Sequence, residues 1–207
     1  LEGTNFAAKN LPGALSVISI AEKGNLFNAP ETYMDKLAVS GKVPFEATDL
    51  DFSLEKNIQN IADSMNKDIK DVTVCLLDRP RHEKIMSSLK KMNVNLKLIT
   101  DGDVSGVIYV IDPNSSVDMY IGTGGGPEGV LAAAALSCYG GQMQTRLVLN
   151  ADEAVRAKKM GITDLKKKYN IEDMVKGDVM FCAPAITDGD FVSGIKDKNE
   201  FFEASTI

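Results

Sequence analysis

The chain has 207 residues, 44% hydrophobic and 25% charged, the balance expected of a globular protein with one substantial core. Its net charge of −6 argues against wholesale nucleic-acid binding, and no apolar run approaches the roughly 18 residues of a membrane span. His82 is the only histidine, which excludes, for this segment, zinc sites built on several imidazoles and mechanisms needing two histidines.

Cys75, Cys138 and Cys182 are far apart, each in an apolar segment, with no C-x-x-C pair. Three buried thiols in a reducing cytoplasm are expected, a redox pair being the alternative. The chain opens on Leu1 and has no signal-peptide pattern, so it reads as an interior piece of a longer cytoplasmic protein.

In chain order, "GALSVISIAE" (13–22) reads as a buried strand bounded by Gly13 and Gly24. "NLFNAPETYMDKLAVS" places a turn at Asn28-Ala29-Pro30 before an alternating run. Ser53 is positioned to N-cap a helix whose apolar face is Leu54, Ile58, Ile61, Ala62 and Met65. "DVTVCLL" (71–77) is a short buried strand. Ile85, Leu89 and Met92 give the next helix its stripe, and "VNLKLIT" (94–100) is another strand. Val117–Ile121 forms a strand leading into a glycine turn and an Ala-rich helix. Strands alternate with helices from 53 to about 136, which predicts a layered α/β fold with some parallel strands.

Three polar clusters fall where strands end: "DRPRH", "DGD" and "GTGGGPEG". In open α/β sheets the carboxyl ends of the strands form the ligand crevice, so one shared site is expected.

Gly124, Gly126 and Gly129 spell G-x-G-x-x-G, the pattern of a dinucleotide-binding loop, with Asp152 and Glu153 about where a ribose-binding acid belongs. Glu128 opposes that reading, because a carboxylate there would meet a pyrophosphate head-on. Pro127 suits the first turn of a helix, and the helix dipole alone would favour Glu128 beside it. The chemical alternative is a ligand for Mg²⁺ or Mn²⁺, which prefer carboxylate oxygens. Asp101 and Asp103 are suited to accepting hydrogen bonds from sugar hydroxyls, although Gly102 and Asp103 are equally ordinary as a turn and an N-cap. Arg79 and Arg81 flank Pro80 at a helix start, where cations oppose the dipole, so an incoming phosphate is expected to offset them. His82 reads as helix surface or a local hydrogen-bond partner.

Together "LEGT" (1–4), "NAPETYMDKL" (28–37), "RPRH" (79–82), "DGDVSG" (101–106) and "GGGPEGVLAAAAL" (124–136) resemble the GlpX-type, class II fructose-1,6-bisphosphatases of the lithium-sensitive phosphatase superfamily. The order and spacing fit nearly the whole chain. The resemblance implies a single sugar-phosphatase region over 1–207, incomplete at both ends. Within it, 1–52 is a strand and hairpin part completing a metal site and 53–207 is the α/β part. It also implies that Leu1 falls inside a D-P-x-E-G-T motif. Glu2 and Glu128 would ligate Mn²⁺ or Mg²⁺. Thr4, with Glu2, would serve catalysis by orienting the attacking water. Glu2, Gly3, Thr4, Tyr33, Arg79, Pro80, Arg81, Asp101, Gly102, Asp103 and Gly125 would contact the sugar bisphosphate. Relatives carry lysine where this chain has Arg79, which exchanges a point charge for a planar fork.

The implied activity is metal-dependent removal of the 1-phosphate of fructose 1,6-bisphosphate, with sedoheptulose 1,7-bisphosphate as a second substrate. A cytoplasmic homo-oligomer, dimer or tetramer, is expected, with no nucleic-acid or membrane partner. The alternatives are an inositol-monophosphatase-like enzyme, an oxidoreductase domain using the glycines at 124–129, and a non-catalytic sugar-phosphate-binding domain.

Overall fold

A computed structural model describes residues 1–207. The elements run α1 (Thr4–Lys9), β1 (Ile18–Ala21), β2 (Tyr33–Val39), α2 (Leu54–Met65), β3 (Thr73–Leu77), α3 (Glu83–Lys91), β4 (Asn95–Ile99), α4 (Asp103–Ile108) and β5 (Met119–Gly125). They continue with α5 (Gly126–Tyr139), β6 (Gln142–Val148), α6 (Ala151–Lys159), β7 (Lys168–Asn170), α7 (Ile171–Met174), β8 (Val179–Cys182), β9 (Lys196–Asp197) and β10 (Phe202–Glu203). No helix is long and apolar enough to cross a membrane.

Six strands form a mixed sheet in the order β4-β3-β5-β2-β6-β7. β3 runs parallel to β4 and β5, while β2 is antiparallel to both β5 and β6. The expected alternation thus yields a layered α/β fold. β2, from the first 52 residues, is inserted into the middle of the sheet.

Helices cover both faces. On one, α2 and α3 bury Ile58, Ile61 and Leu89 against Leu37, Val74, Leu76 and Met119. α2 begins as its sequence requires, with the Ser53 side chain accepting the Lys56 N–H at 3.1 Å. On the other face, α4, α5 and α7 pack on Met34, Ala38, Tyr120 and Met143. α5 carries Ala132, Ala133, Ala134 and Ala135, all fully buried. A helix apolar on every side belongs inside a protein, and α5 is covered by the sheet, by α4 and by β8.

Three sequence expectations need correction. The segment 13–22 is not one buried strand. Ala14 and Leu15 are buried, but β1 pairs only with β8, in a ribbon outside the main sheet, and leaves Ile18 and Ile20 about half exposed at 52% and 51%. The cysteines are not three buried thiols. Cys75 lies in the core, where burial pushes its thiol up to about 12, whereas Cys138 is exposed and Cys182 half-buried. Finally, the glycines after Ile121 do not form a turn. β5 continues through Gly125 because β2 pairs with it along its whole length, from Met119 opposite Val39 to Gly125 opposite Tyr33.

The loop after β2 is tied to the far sheet edge by charge. Lys168 on β7 reaches Asp49 at 2.5 Å and Asp51 at 3.0 Å, and Arg146 on β6 reaches Asp51 at 2.7 Å. Burial would raise the Asp49 carboxyl, but its hydrogen bonds from Lys168 and the Asp51 N–H reverse this and hold it below the usual range. Arg146 and Lys168 lower Asp51 likewise. Folded-state values below the unfolded ones mean stability that is present above about pH 4 and lost as pH falls through the folded values. Lys168→Met is therefore expected to lower the melting temperature by about 2 °C at neutral pH. Thermal scans against pH should show that difference shrinking below about pH 4; a difference independent of pH would contradict it.

Candidate active site

The candidate site is built at one end of the strands, where the C-terminal ends of β3, β4 and β5 lie beside the N-terminal end of the antiparallel β2. Tyr33 starts β2 opposite Gly125, the last residue of β5. The chain passes directly into α5, and Gly126 N–H donates to Thr32 O at 2.7 Å. Pro127 and Glu128 occupy the first turn of α5, as the sequence indicates. The Glu128 carboxylate folds back over Gly125, where any Cβ would overlap its Oε2. Tyr33, Gly125, Pro127 and Glu128, with Glu31, Thr32 and Glu153, line an open crevice of about 450 Å³.

Glu2 is pinned by a β-bridge, its N–H donating to Leu15 O at 2.8 Å and its carbonyl accepting Leu15 N–H at 3.0 Å. Its side chain is buried, and Oε1 accepts the Val104 N–H at 2.5 Å at the start of α4. Burial pushes the Glu2 carboxyl up to about 7; the Val104 hydrogen bond lowers it, Asp103 raises it, Lys36 lowers it and Glu128 raises it. Glu2, Asp103 and Glu128 are thus close enough to feel one another, and the charge of Glu2 is incompletely balanced by the protein. Gly3 has φ +71°, a conformation in which a side chain would also press on Phe6, so the turn into α1 needs glycine. Thr4 opens α1 and is exposed, and the Asn5 N–H points to Asp101 Oδ2 at 3.3 Å.

The two aspartates of "DGD" part company. Asp101 lies at the half-exposed end of the turn, its Oδ1 accepting the Gly102 N–H at 3.1 Å. Gly102, at φ +90°, is the N-cap, and Asp103 is the first residue of α4 rather than its cap. Asp103 points inward and is 8% exposed; its Oδ2 pairs with Lys36 Nζ and its Oδ1 accepts the Tyr120 hydroxyl. The carboxylate occupies the notch left by Gly124, where a Cβ would overlap it.

The arginine segment forms a short 3-10 turn, Pro80–His82, capped by Arg79. Arg79 donates to Asp78 O at 3.1 Å, and Pro80 is exposed. Arg81 Nε donates to Thr123 O at 2.8 Å, and its guanidinium lies 5.0 Å from the centre of the Tyr33 ring. His82 is not on the helix surface. It is fully buried, with Nε2 accepting the Thr123 N–H at 2.8 Å, which assigns the proton to Nδ1, 2.8 Å from Leu77 O. It braces β5 against β3.

A residue from each of the segments expected to form a site therefore comes to these strand ends, but the Arg79 side chain bonds only to the neighbouring Asp78 carbonyl and Pro80 is exposed. No three His, Cys, Asp or Glu side chains gather in the geometry of a metal site. Sequence reasoning missed Lys36 and Tyr120. Lys36 did carry a signal: it sits between Met34 and Ala38 on the inward positions of an apolar strand, where an unpaired charge would be costly.

The family model described as bacterial fructose-1,6-bisphosphatase, glpX-encoded, matches residues 1–207. The chain belongs to that family. A D-fructose 1,6-bisphosphatase class 2/sedoheptulose 1,7-bisphosphatase of Synechococcus sp. (strain JA-3-3Ab) is 38% identical over 214 aligned positions, covering 94% of this chain and 60% of the relative. A fructose-1,6-bisphosphatase class 2 of Haemophilus influenzae is 34% identical, covering all of this chain and 66% of the relative. The chain thus spans about 60 to 66% of the length of these curated relatives. Membership in this metal-dependent GlpX-type phosphatase family, together with a motif whose Gly124 lies in a paired strand and whose Gly126 and Gly129 lie in α5, sets aside the dinucleotide-binding alternative.

The two site glycines of this GlpX-type chain should respond differently to a methyl group. Gly125→Ala displaces only the free end of Glu128, whereas Gly124→Ala collides with an Asp103 carboxylate held from two sides. Thermal unfolding should find Gly125→Ala within about 0.5 kcal/mol of wild type and Gly124→Ala destabilised by about 1–3 kcal/mol. Equal losses would show that Asp103 yields as readily as Glu128.

Proposed function

We propose that the whole protein hydrolyses the 1-phosphate of fructose 1,6-bisphosphate to give fructose 6-phosphate and inorganic phosphate, with Mn²⁺ or Mg²⁺ as cofactor. Sedoheptulose 1,7-bisphosphate is the second substrate in this proposal, and a cytoplasmic dimer or tetramer the working assembly. The observation that supports the proposal is the convergence of the candidate segments around the end of β5: Glu128 folds over Gly125, Asp103 fills the notch of Gly124 next to the Val104 N–H that Glu2 accepts, and Arg81 is held by Thr123 O beside the Tyr33 ring.

The donor chemistry fits a hard divalent cation. Glu2 and Glu128 offer carboxylate oxygens, and the buried Glu2 has a backbone N–H but no cationic side chain on its oxygens. Mg²⁺ and Mn²⁺ accept one or two protein carboxylates and fill the remaining positions with water and substrate phosphate. When bound, such a cation polarises the phosphoryl group and makes nearby water a better nucleophile.

The remaining work falls to the chain itself. Gly3 and Gly125, lacking side chains, let backbone approach the ester. Thr4 Oγ1 accepts a hydrogen bond from the attacking water and holds it in line with the bond to be broken. A bond forms between the water oxygen and phosphorus as the bond to the sugar oxygen breaks, and a proton given up by the attacking water ends on the departing sugar oxygen as the free hydroxyl. Arg79 and Arg81 grip the distal phosphate, Arg81 being held by Thr123 O and the Tyr33 ring. Asp101, facing outward, accepts from sugar hydroxyls. Positioning and charge stabilisation supply most of the rate in phosphoryl transfer, which suits a site without a protein nucleophile.

Phosphate release by the full-length protein tests this. Glu128→Gln should lower kcat on the order of 100-fold, and EDTA should abolish turnover of the wild type. Full activity in either case would rule out the metal role of Glu128. Arg81→Ala should raise KM for the bisphosphate about tenfold. An inositol-monophosphatase-like enzyme has no distal phosphate to hold, and for it the same substitution would leave turnover nearly unchanged.

A further inference from the structure

Lys36 is the largest charged side chain sealed inside the protein, with 0% of its side chain exposed. It projects from the middle of β2, between Met34 and Ala38, toward the start of α5. Gly129 makes room for it: a Cβ there would stand 3.2 Å from Lys36 Cε and 2.7 Å from Met34 Sδ. The Lys36 ammonium pairs with Asp103 Oδ2, and Tyr120, also fully buried, donates its hydroxyl to Oδ1. Glu2 lies within electrostatic reach of Lys36, Asp103 and Glu128.

A buried lysine–aspartate pair is a costly choice for stability alone, since apolar residues of similar size commonly serve as well. The position explains its presence better than the fold does. Glu2 accepts the N–H of Val104, the residue after Asp103, and an unrestrained Asp103 carboxylate would be free to leave the notch of Gly124. Lys36 and Tyr120 occupy one lone pair on each Asp103 oxygen. A carboxylate offers about four such positions, so Asp103 keeps two for a ligand, in one fixed orientation.

We propose that Lys36 is a positioning residue for substrate recognition: through Asp103, and together with Tyr120, it fixes the inner carboxylate of the "DGD" turn to receive a sugar hydroxyl. This rests on the phosphatase reading above. Lys36 touches neither substrate nor metal, so its removal acts on binding of the sugar rather than on the chemical step.

The test is a double-mutant cycle in the full-length, metal-loaded enzyme, using Lys36→Met, Asp103→Asn and the pair together, with KM and kcat for fructose 1,6-bisphosphate. Each single variant should raise KM about tenfold, the loss of one charged hydrogen bond, with kcat within about threefold of wild type. The double variant should match Asp103→Asn alone, because Lys36 acts only through Asp103. If Lys36→Met fails to fold with Asp103 left unpaired, the double variant removes both charges and carries the comparison. A wild-type KM in Lys36→Met, a fall in kcat at unchanged KM, or a double variant whose KM greatly exceeds that of Asp103→Asn would each overturn the assignment. Absence of metal-dependent bisphosphate turnover in the wild type would instead sink the phosphatase reading, and this inference with it.

Discussion

The site depends on how closely side chains can approach the end of β5. Gly122, Gly124 and Gly125 have no side chains, and His82, Asp103 and Glu128 occupy the space they leave. Such glycines weaken a strand, since nothing packs from them and the unfolded chain gains freedom. Pairing compensates: β2 lies against β5 along seven residues, and His82 accepts the Thr123 N–H while pointing its other nitrogen at Leu77 O. The strand end can be bare because its neighbours on three sides are fixed. β2 therefore contributes more than sheet area, since without it the glycine segment would revert to the loop its composition favours.

The same crowding sets the electrostatics. Glu2 and Asp103 are buried acids in a protein that is already acidic overall. Burial of carboxylates is expensive unless cations or N–H donors meet them. Asp103 receives Lys36 and Tyr120, whereas Glu2 receives only the Val104 N–H, and its carboxyl is pushed up to about 7 chiefly by burial. One carboxylate is thus satisfied internally and another is left in deficit. This asymmetry separates an acid held by its neighbours from one whose charge the protein leaves largely unbalanced.

Much of this was legible in the sequence, for identifiable reasons. α2 announces itself through Ser53 and an apolar stripe at helical spacing, and β3 through an unbroken apolar run. Pro127 and Glu128 mark the first turn of α5. These are local signals. What local signals could not convey were pairings across the chain. Glycine reads as a turn residue, so the extension of β5 to Gly125 is visible only once β2 is known to lie beside it. "GALSVISIAE" reads as buried because its composition is apolar, yet its partner β8 lies outside the main sheet. His82 has no neighbour in sequence that predicts its burial, because its partner Thr123 is 41 residues away. Lys36 was visible as a charge on an inward strand position, but its partner Asp103 is 67 residues distant.

The "DGD" turn links these observations. Gly102 takes φ +90°, a left-handed conformation that suits glycine, at the N-cap of α4. On one side Asp101 remains at the surface, within reach of Asn5 from the "LEGT" segment. On the other, Asp103 enters the core and meets Lys36. A longer connection would let the two carboxylates move independently. A single left-handed residue between them instead transmits the position of the buried acid to the exposed one. The orientation of the exposed side of the turn is therefore set by packing inside the protein, at the contact between β2 and the start of α4, rather than by the flexibility of a surface loop.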